Sequence, residues 1–390
     1  MPDQPLLFKP LTLRDVTLPN RVVVSPLCMY SAIEGVATPW HFAHLSTFAR
    51  GKAGLVFTEA TAVEPRGRIT PACLGIWTDA QAEAIRPIVE FIESMGCVPG
   101  MQIAHAGRKA SARPPFEGGT PLPENDPSAW QTVAPSAEPV GDGWPVPSAL
   151  STDAIATIVS DFAQAAKRAY QIGFKVLEIH GAHGYLIQSF LSPIANKRND
   201  AYGGSLDGRM RLALDVTDAV RAAWPSHLPL FFRISSVDGP ADGWSLDDSV
   251  VLARELAARG VDVVDCSAGG IKGAPAFRGD DAGVMLKSRA ERPPGFQVPY
   301  AERVKSDADV ATMAVGVIVD PHQAEAILQD GKADLVALGR ELMYNPFWPL
   351  HAAQALGCDP ESELWPKQYG WGVKRRDEIA SLNAHSKSYL

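Results

Sequence analysis

Eight short apolar segments recur along this chain, and a segment with helical periodicity follows each of them. The apolar segments are 21–26, 54–61, 98–105, 175–180, 230–235, 261–267, 310–315 and 333–338. Strands that are apolar almost throughout are typical of parallel sheets whose faces are covered by helices. Eight strand–helix units therefore predict a single (β/α)8 TIM barrel, with residues 1–390 forming one domain. A doubly wound sheet has less support, because no Gly-x-Gly-x-x-Gly follows any strand.

The helical patterns have recognisable ends. They lie at 39–50, 79–95, 152–172, 209–224, 246–259, 298–305, 321–330 and 340–344. Ser151 and Asp320 are typical residues at a helix N-cap, and Gly173 and Gly260 are typical at a helix end. Ahead of the first core strand, residues 8–20 predict a short hairpin.

Two connections are unusually long, at 106–151 and 268–297, after strands three and six. In a barrel, the connections that follow strands lie on the C-terminal face, where active sites form. We interpret the first connection as a lid or as a loop that contacts a cofactor. For the second, a functional loop and a solvated excursion both remain open.

Composition narrows the classes of function. The chain has 390 residues and a formal net charge of −8, which argues against a surface for nucleic acids or anionic membranes. It has no apolar run that could span a bilayer, and its first ten residues lack a signal-peptide pattern. The five cysteines, at positions 28, 73, 97, 266 and 358, show no Cys-x-x-Cys spacing. We therefore expect a cytoplasmic location and no cysteine-bound metal.

A turn after the fourth strand carries the densest group of reactive side chains. His180, His183 and Tyr185 lie within six residues, separated by Gly181 and Gly184. The two imidazoles can converge only if the chain turns, which these glycines allow. Two imidazole N–H groups could then polarise one carbonyl or nitro oxygen, and a phenol is a proton source at neutral pH.

Two other interpretations of this turn remain open. The histidines could be metal ligands, with Glu178 as the nearest candidate for a third ligand. They could also be structural residues whose hydrogen bonds are satisfied within the core. From this segment alone, a substrate site is about as well supported as these alternatives together.

The ends of the other strands are polar for a barrel, and we expect them to face one mouth. Gly316 and Gly339-Arg340 follow strands seven and eight, where barrels commonly bind phosphate. Arg233 lies in an apolar strand and needs an acceptor, for which a reduced flavin ring is suitable. Gln102 suits the amide-like edge of such a ring. The alternatives are a buried salt bridge from Arg233 to Glu59 or Glu178, and a core hydrogen bond for Gln102.

These residues fall in segments that resemble the old yellow enzyme family of FMN-dependent ene-reductases, most closely its xenobiotic reductase and thermophilic-like branch. The resemblance extends from residue 7 to about residue 371. The matching motifs are 21–30 (RVVVSPLCMY), 102–110 (QIAHAGRKA), 180–186 (HGAHGYL), 196–205 (NKRNDAYGGS), 295–300 (GFQVPY) and 338–340 (LGR).

The resemblance implies FMN bound non-covalently across the barrel mouth, with NADPH or NADH as the hydride donor. The residues implied to contact the isoalloxazine are Ser25, Pro26, Cys28, Ala60, Gln102 and Arg233. Gly316, Gly339 and Arg340 would hold the phosphate, and Cys28 would tune the redox potential. Lys109 and Arg113 are further candidates for contact with the cofactor or the lid.

The resemblance also implies the reaction and the assembly. His180 and His183 would bind the activating group of an α,β-unsaturated carbonyl or nitro compound, Tyr185 would donate the proton, and Tyr30 would line the pocket. Trp371, in a C-terminal tail at 356–390, would reach a neighbouring subunit of a homo-oligomer (dimer or tetramer). The alternative functions are a metal-dependent barrel hydrolase or lyase that uses both histidines, and a flavin-binding protein without turnover.

Overall fold

The computed structural model describes residues 4–271, 278–279, 284–285 and 292–379. Its strands, in chain order, are β1 Leu11–Leu13, β2 Val16–Leu18, β3 Val22–Val24, β4 Leu55–Ala62, β5 Val98–Ala104, β6 Val133–Ala134, β7 Ser148–Ala149, β8 Val176–Gly181, β9 Leu230–Ser235, β10 Val263–Ser267, β11 Arg278–Gly279, β12 Val284–Met285, β13 Ala311–Val315 and β14 Leu335–Leu338.

Its helices, also in chain order, are α1 Pro39–Arg50, α2 Asp79–Ser94, α3 Thr152–Gln171, α4 Leu186–Leu191, α5 Leu206–Ala223, α6 Leu246–Ala258, α7 Val298–Ala308, α8 Pro321–Gln329, α9 Arg340–Tyr344, α10 Trp348–Ala355 and α11 Lys367–Asp377. Short 3₁₀ turns occur at Leu6–Phe8, Pro65–Gly67, Gly107–Lys109 and Pro115–Glu117. No helix among the described residues is long and apolar enough to cross a lipid bilayer.

Eight strands close into a parallel barrel in the order β3-β4-β5-β8-β9-β10-β13-β14, with β14 pairing back to β3. These are the eight predicted strands, and each begins and ends within two residues of its predicted bounds. The predicted (β/α)8 barrel is therefore confirmed. The hairpin also forms, with Leu11 opposite Leu18 in the antiparallel pair β1–β2.

Burial of the strands on both faces explains their apolar sequences. All residues of β4, β5, β8, β9, β10 and β14 are buried. Phe57 of β4 and Phe231 of β9 meet across the interior, with ring centroids 5.9 Å apart, although their strands are not neighbours. The side chains inside the barrel thus form a packed core below the mouth.

Local capping sets the helix bounds. The Ser151 hydroxyl accepts from the Ala154 N–H at the start of α3, and Asp320 caps α8 in the same way. Helix α5 begins three residues before its predicted start at 209, because Ser205 caps it by accepting from the Gly208 N–H. Helices α10 and α11 were not predicted.

The two long connections differ in how much of them is described. The first holds two 3₁₀ turns and the parallel pair β6–β7. Buried Arg108 anchors it, donating to the carbonyls of Glu138, Pro139 and Ile271. In the second connection, residues 272–277, 280–283 and 286–291 lie outside the described residues, so both interpretations of that loop remain open.

Candidate active site

A cavity of about 770 Å³ opens at the C-terminal ends of the barrel strands. That volume is typical of a site for a cofactor or a drug-sized ligand. Eight of the predicted site residues line it: Ser25, Pro26, His183, Tyr185, Arg233, Gly316, Gly339 and Arg340. Residues from the first, fourth, fifth, seventh and eighth barrel strands or the loops after them therefore meet at one mouth, as the strand ends predicted.

The turn after β8 brings the two histidines together, as predicted, although Gly181 does not act as expected. Gly181 ends the strand, and a Cβ there would lie 2.3 Å from the Phe232 ring, so close packing requires this glycine. The chain reverses at His183 (φ 60°) and Gly184 (φ 75°), where a Cβ on Gly184 would lie 2.1 Å from the Gly270 carbonyl oxygen. Of the two glycines, only Gly184 allows the turn.

His180 is a neutral imidazole with a defined ring orientation. The Ala182 N–H donates to its Nδ1 at 3.1 Å, so the ring proton lies on Nε2. Burial lowers the pKa of His180 well below its usual value, and the charges of Arg233 and Lys109 lower it further. Its Nε2 therefore remains an N–H donor at neutral pH.

His183 lies at right angles to His180, with its Nδ1 3.3 Å from the His180 Nε2. Burial and the charge of Arg233 hold its pKa well below the usual value, so this ring is neutral as well. Its Nε2 lies 2.7 Å from the Ser267 hydroxyl, and its backbone carbonyl accepts from Lys109 Nζ at 2.8 Å. Two neutral imidazoles are thus in direct hydrogen-bond contact beside the cavity, from which an oxygen acceptor could approach them.

A buried network holds the turn in place from behind. Gln188 accepts from the Gly184 N–H through its side-chain oxygen and donates to Asp238 Oδ1 at 2.7 Å. The Ser192 hydroxyl donates to the other oxygen of Asp238. Sequence reasoning missed Gln188 and Asp238, since nothing in the local pattern indicates that their side chains meet.

Tyr185 lies beside the histidines at the wall of the cavity. Its ring centroid is 5.0 Å from that of His180, and Lys109 Nζ lies 5.8 Å from it over the ring. Burial raises the pKa of Tyr185 well above its usual value, with smaller contributions from Cys28 and Tyr30. The phenol therefore keeps its proton and can act as an acid.

Cys28 and Tyr30 follow the first barrel strand, close to Tyr185 but outside the cavity wall. Tyr30 adopts a left-handed backbone conformation (φ 50°), and its ring meets that of Phe116 in an edge contact. Burial, followed by the charge of Glu59, raises the pKa of the Cys28 thiol. Cys28 is therefore a protonated thiol rather than a thiolate.

Glu59 does not face the mouth, which corrects one expectation. Its carboxylate lies 3.2 Å from His41 of α1, and both side chains are 2% exposed. Its ion-pair partner is thus His41, whereas Arg233 pairs with another carboxylate. His105 likewise pairs with Glu64 at 2.7 Å instead of entering the cavity.

Arg233 meets a different carboxylate from those proposed. Asp265 of β10 lies 2.9 Å from its Nε, because Asp265 and Arg233 are opposite each other in the parallel pair β9–β10. Gln102 donates to Glu178 at 2.8 Å, so a core hydrogen bond forms here, as the alternative interpretation held. Burial raises the pKa values of both Glu178 and Asp265, and the repulsion of Asp265 raises that of Glu178 further.

The site suits FMN in an unmatched polar atom and in its shape. Ser25 Oγ is buried and has no hydrogen-bond partner among the described residues. The guanidinium of Arg233 also lines the cavity, although its Nε is paired with Asp265. At the other end of the cavity, Gly316 (φ 124°) is tightly confined, since a Cβ would lie 2.9 Å from Gln297 Oε1. Gly339 precedes α9, whose first residue is the exposed Arg340. A polar ring edge at Arg233 and an anion at Arg340 would match these groups.

Other predicted residues lie elsewhere. Cys28, Tyr30, Ala60, Gln102 and His180 are not among the residues that line this cavity. Trp371 is 65% exposed and borders a separate surface cavity with Trp365 and Tyr369. Its predicted role in a neighbouring subunit stays a prediction.

The cavity wall also contains residues whose roles the sequence did not indicate. Ser267 ends β10, and Gln297 precedes α7 within the 295–300 motif. Within the described ranges, no three His, Cys, Asp or Glu side chains are grouped so that they could hold a metal ion. All five cysteines are free thiols.

Known proteins are similar to this chain over most of its length. Residues 6–358 match the model of the NADH:flavin oxidoreductase / NADH oxidase family. An NADPH dehydrogenase of Bacillus subtilis is 42% identical over 369 residues, covering 94% of this chain and 99% of that protein. An NADPH dehydrogenase of Geobacillus thermodenitrificans is 40% identical over 370 residues, covering 94% and 98%.

Solved structures show the same fold. Morphinone reductase superposes with a TM-score of 0.73 at 29% identity, covering 90% of each chain. An old yellow enzyme homologue from Zymomonas mobilis superposes with a TM-score of 0.71 at 27% identity, covering 88% of this chain and 91% of that one. This chain therefore belongs to the NADH:flavin oxidoreductase / NADH oxidase family and is an FMN-dependent NAD(P)H oxidoreductase of the old yellow enzyme type.

Proposed function

We propose that this enzyme reduces the C=C bond of α,β-unsaturated carbonyl or nitro compounds with hydride from NADPH or NADH. The observation that carries the proposal is the His180–His183 pair, in which two neutral imidazoles face each other at 3.3 Å beside a protonated phenol. Such a site activates an electron-poor alkene through its oxygen and protonates the carbon that becomes negative.

The histidine pair holds the substrate oxygen. As hydride reaches the β-carbon, negative charge moves onto this oxygen, where N–H donors stabilise it. Because both rings are neutral, they donate hydrogen bonds without giving up a proton to the oxygen. Loss of one donor of this kind typically slows the chemical step by roughly 10²–10³-fold.

Tyr185 is the proton donor for the α-carbon. Its raised pKa keeps it protonated through the neutral range, so a proton is available in each turnover. Lys109, over its ring, favours the phenolate that remains after transfer. Solvent then returns the proton to the phenol.

Ser25, Pro26, Cys28, Ala60, Gln102 and Arg233 would hold the isoalloxazine of FMN, and Gly316, Gly339 and Arg340 its phosphate. When bound, FMN would supply the hydride chemistry between the nicotinamide and the alkene, in a ping-pong scheme. The Arg233 guanidinium, at the cavity wall, would favour negative charge on the isoalloxazine. The neutral Cys28 thiol would adjust the reduction potential by its hydrogen bonding.

The first test is the visible absorption spectrum of the purified protein, followed by heat release and identification of the bound flavin. The reduced enzyme is then mixed anaerobically with cyclohexenone. Reoxidation at a rate that matches turnover supports the proposal. A yellow protein that NADPH or NADH reduces, but that no enone or nitroalkene reoxidises, would instead be a flavoprotein with another electron acceptor or none.

We also propose a homo-oligomer in the cytoplasm. Trp371 and Tyr369 form an exposed aromatic surface on α11, which supports contact with a neighbouring subunit. The five free cysteines favour a reducing compartment. Sedimentation of the wild-type enzyme and of Trp371→Ala tests the first of these proposals, because loss of the aromatic side chain should weaken association.

A further inference from the structure

Ser267 makes a contact that bears directly on the substrate-binding pair. It ends β10 and is 2% exposed. Its Oγ lies 2.7 Å from His183 Nε2 and 3.2 Å from the carbonyl oxygen of Ile234. A serine hydroxyl has a single hydrogen, so it can donate to only one of these two acceptors at a time.

The neighbouring ring restricts the choice further. Because His180 Nδ1 accepts from the Ala182 N–H, the proton of His180 lies on Nε2 and points toward His183 Nδ1. The ring proton of His180 is thus placed on Nε2, whereas that of His183 can lie on either Nδ1 or Nε2. Each position of the His183 proton requires a different set of hydrogen bonds between Ile234, Ser267, His183 and His180.

In the first arrangement the His183 proton lies on Nε2. His180 donates to His183 Nδ1, His183 donates to Ser267, and Ser267 donates to the Ile234 carbonyl. Every member of this chain is satisfied without a ligand, and neither imidazole has an N–H to offer.

In the second arrangement the His183 proton lies on Nδ1. Ser267 donates to His183 Nε2 in place of the Ile234 carbonyl. The N–H groups of His180 and His183 then point at each other with only 3.3 Å between the nitrogens, which is unfavourable unless the rings turn toward an acceptor that both can reach. An oxygen atom of a ligand in the cavity provides that acceptor.

We propose that Ser267 is a positioning residue that selects the tautomer of His183, so that the pair offers two N–H donors only when an oxygen ligand in the cavity comes within reach of both rings. The change transfers no net charge, because one proton leaves Nε2 to water and another arrives at Nδ1 from water. The inference deepens the proposed function and rests on it, since that function needs both donors.

The experiment follows the ring nitrogens of the FMN-loaded enzyme by NMR after labelling histidine with ¹⁵N. The His183→Asn variant assigns the His183 signals among those of the nine histidines. The probe is 4-chlorophenol, which presents an oxygen but no double bond that hydride could reduce. We expect the protonated nitrogen of His183 to be Nε2 without the phenol and Nδ1 with it.

Three variants connect this change to the serine. Ser267→Ala removes the hydroxyl and should weaken phenol binding roughly five- to tenfold. Ser267→Thr keeps a hydroxyl and should restore both the affinity and the change of tautomer. Ser236→Ala is the matched control, because Ser236 is a buried serine at the end of the neighbouring strand and has no contact with His183.

Several outcomes would overturn the proposal. One is that His183 of the wild-type enzyme keeps the same tautomer with and without phenol. This measurement does not depend on the folding of any variant. Another is an alanine variant that binds phenol as the wild type does. A third is a loss of FMN affinity in Ser267→Ala that matches its loss of phenol affinity, which would assign the effect to the cofactor. The NMR result does not depend on enone turnover, so failure of the proposed function would be seen separately.

Discussion

Replacing Asp265 by asparagine removes the carboxylate that lies 2.9 Å from the Arg233 Nε, where the two side chains are 0% and 9% exposed. Breaking a buried ion pair from one side usually costs about 3–5 kcal/mol, because the remaining charge is left without a partner. Here we expect a smaller cost. The repulsion of Asp265 raises the pKa of nearby Glu178, and Arg233 lowers it.

Glu178 can therefore take over as the counter-charge. Once Asp265 is neutral, the repulsion that favours protonated Glu178 is gone, and Glu178 ionises beside Arg233. We expect Asp265→Asn to lower the free energy of unfolding by about 1–2 kcal/mol, less than the usual cost of an unpaired buried charge. Glu178→Gln alone should lower it by less than about 1 kcal/mol, because an amide resembles the protonated carboxyl that Gln102 already contacts.

The double variant should be far from additive. With both carboxylates removed, Arg233 has neither counter-charge, and the full cost of about 3–5 kcal/mol should appear. The free energy of unfolding is measured by urea titration of the FMN-saturated enzyme at constant free FMN, with tryptophan fluorescence and circular dichroism as independent probes. Asp15→Asn, at an exposed position, is the control for replacing an aspartate by an asparagine. The exchange of counter-charge would be refuted if the loss of unfolding free energy in the double variant equalled the sum of the two single losses. It would also be refuted if Asp265→Asn alone lost the full 3–5 kcal/mol, roughly, of an unpaired buried charge.

The pH dependence gives an independent check on Glu178. Its pKa in the folded state is raised, so the folded protein holds this proton above the ordinary glutamate pKa of about 4.3, whereas the unfolded chain has lost it. The stabilisation from Glu178 is therefore complete below that value and is lost as pH rises through the raised pKa. The Glu178→Gln variant lacks this dependence. The difference in free energy of unfolding between the variant and the wild type should therefore shift in favour of the variant as the pH rises above about 4.3.

Three further predictions concern the turn and its neighbours. Tyr185→Phe should slow enone-dependent reoxidation by roughly 10²–10⁴-fold and leave reduction by NADPH or NADH unchanged in stopped-flow traces, and the reverse pattern would contradict its role as the acid. Gly181→Ala should lower the thermal midpoint, or prevent folding, because its Cβ would lie 2.3 Å from the Phe232 ring, whereas Gly141→Ala, with nothing within 4 Å and no left-handed φ, should affect it far less. Burial lowers the pKa of Lys109 to about 8, so phenol affinity should fall as pH rises through about 8 and the positive charge is lost. Lys109→Met should abolish that pH dependence, and its persistence in the variant would assign it to another group.

The strands and their order could be predicted from sequence because the signal is local. A strand buried on both faces must be apolar over its whole length, and a proline or a polar residue ends it within one or two positions. Ser25-Pro26 ends β3 in this way. The helix caps were also predictable, since Ser151 and Asp320 form hydrogen bonds to the first turn of their own helices.

The turn after β8 could be predicted for the same reason. His180, His183 and Tyr185 lie within one short segment, and their separation by glycines is unusual. What the sequence could not give was the conformation of each residue. His183 itself adopts a left-handed backbone conformation, next to Gly184, and a network from Gln188 and Asp238 holds the backbone of the turn.

The partners of these residues belong to other strands, and their identity depends on register. Arg233 had two plausible partners in the sequence, Glu59 and Glu178, and it took neither as its ion pair. Glu59 turns outward to His41, whereas Asp265 is directly opposite Arg233 in the adjacent strand. An aspartate inside the apolar segment 261–267 was a signal that could have been read, because a buried carboxylate needs a partner.

This difference between the turn and its partners bears on how the enzyme controls protons. The groups that would contact substrate come from one segment, whereas the groups that set their protonation come from β9 and β10: Arg233 lowers the histidine pKa values, and Ser267 contacts His183 Nε2. A protein could therefore keep the turn unchanged and still alter its chemistry by exchanging residues on these two strands. The ion pair at Arg233 and the hydroxyl at Ser267 are thus where we expect substitutions to change proton supply and oxygen binding without changing the substrate-binding residues themselves.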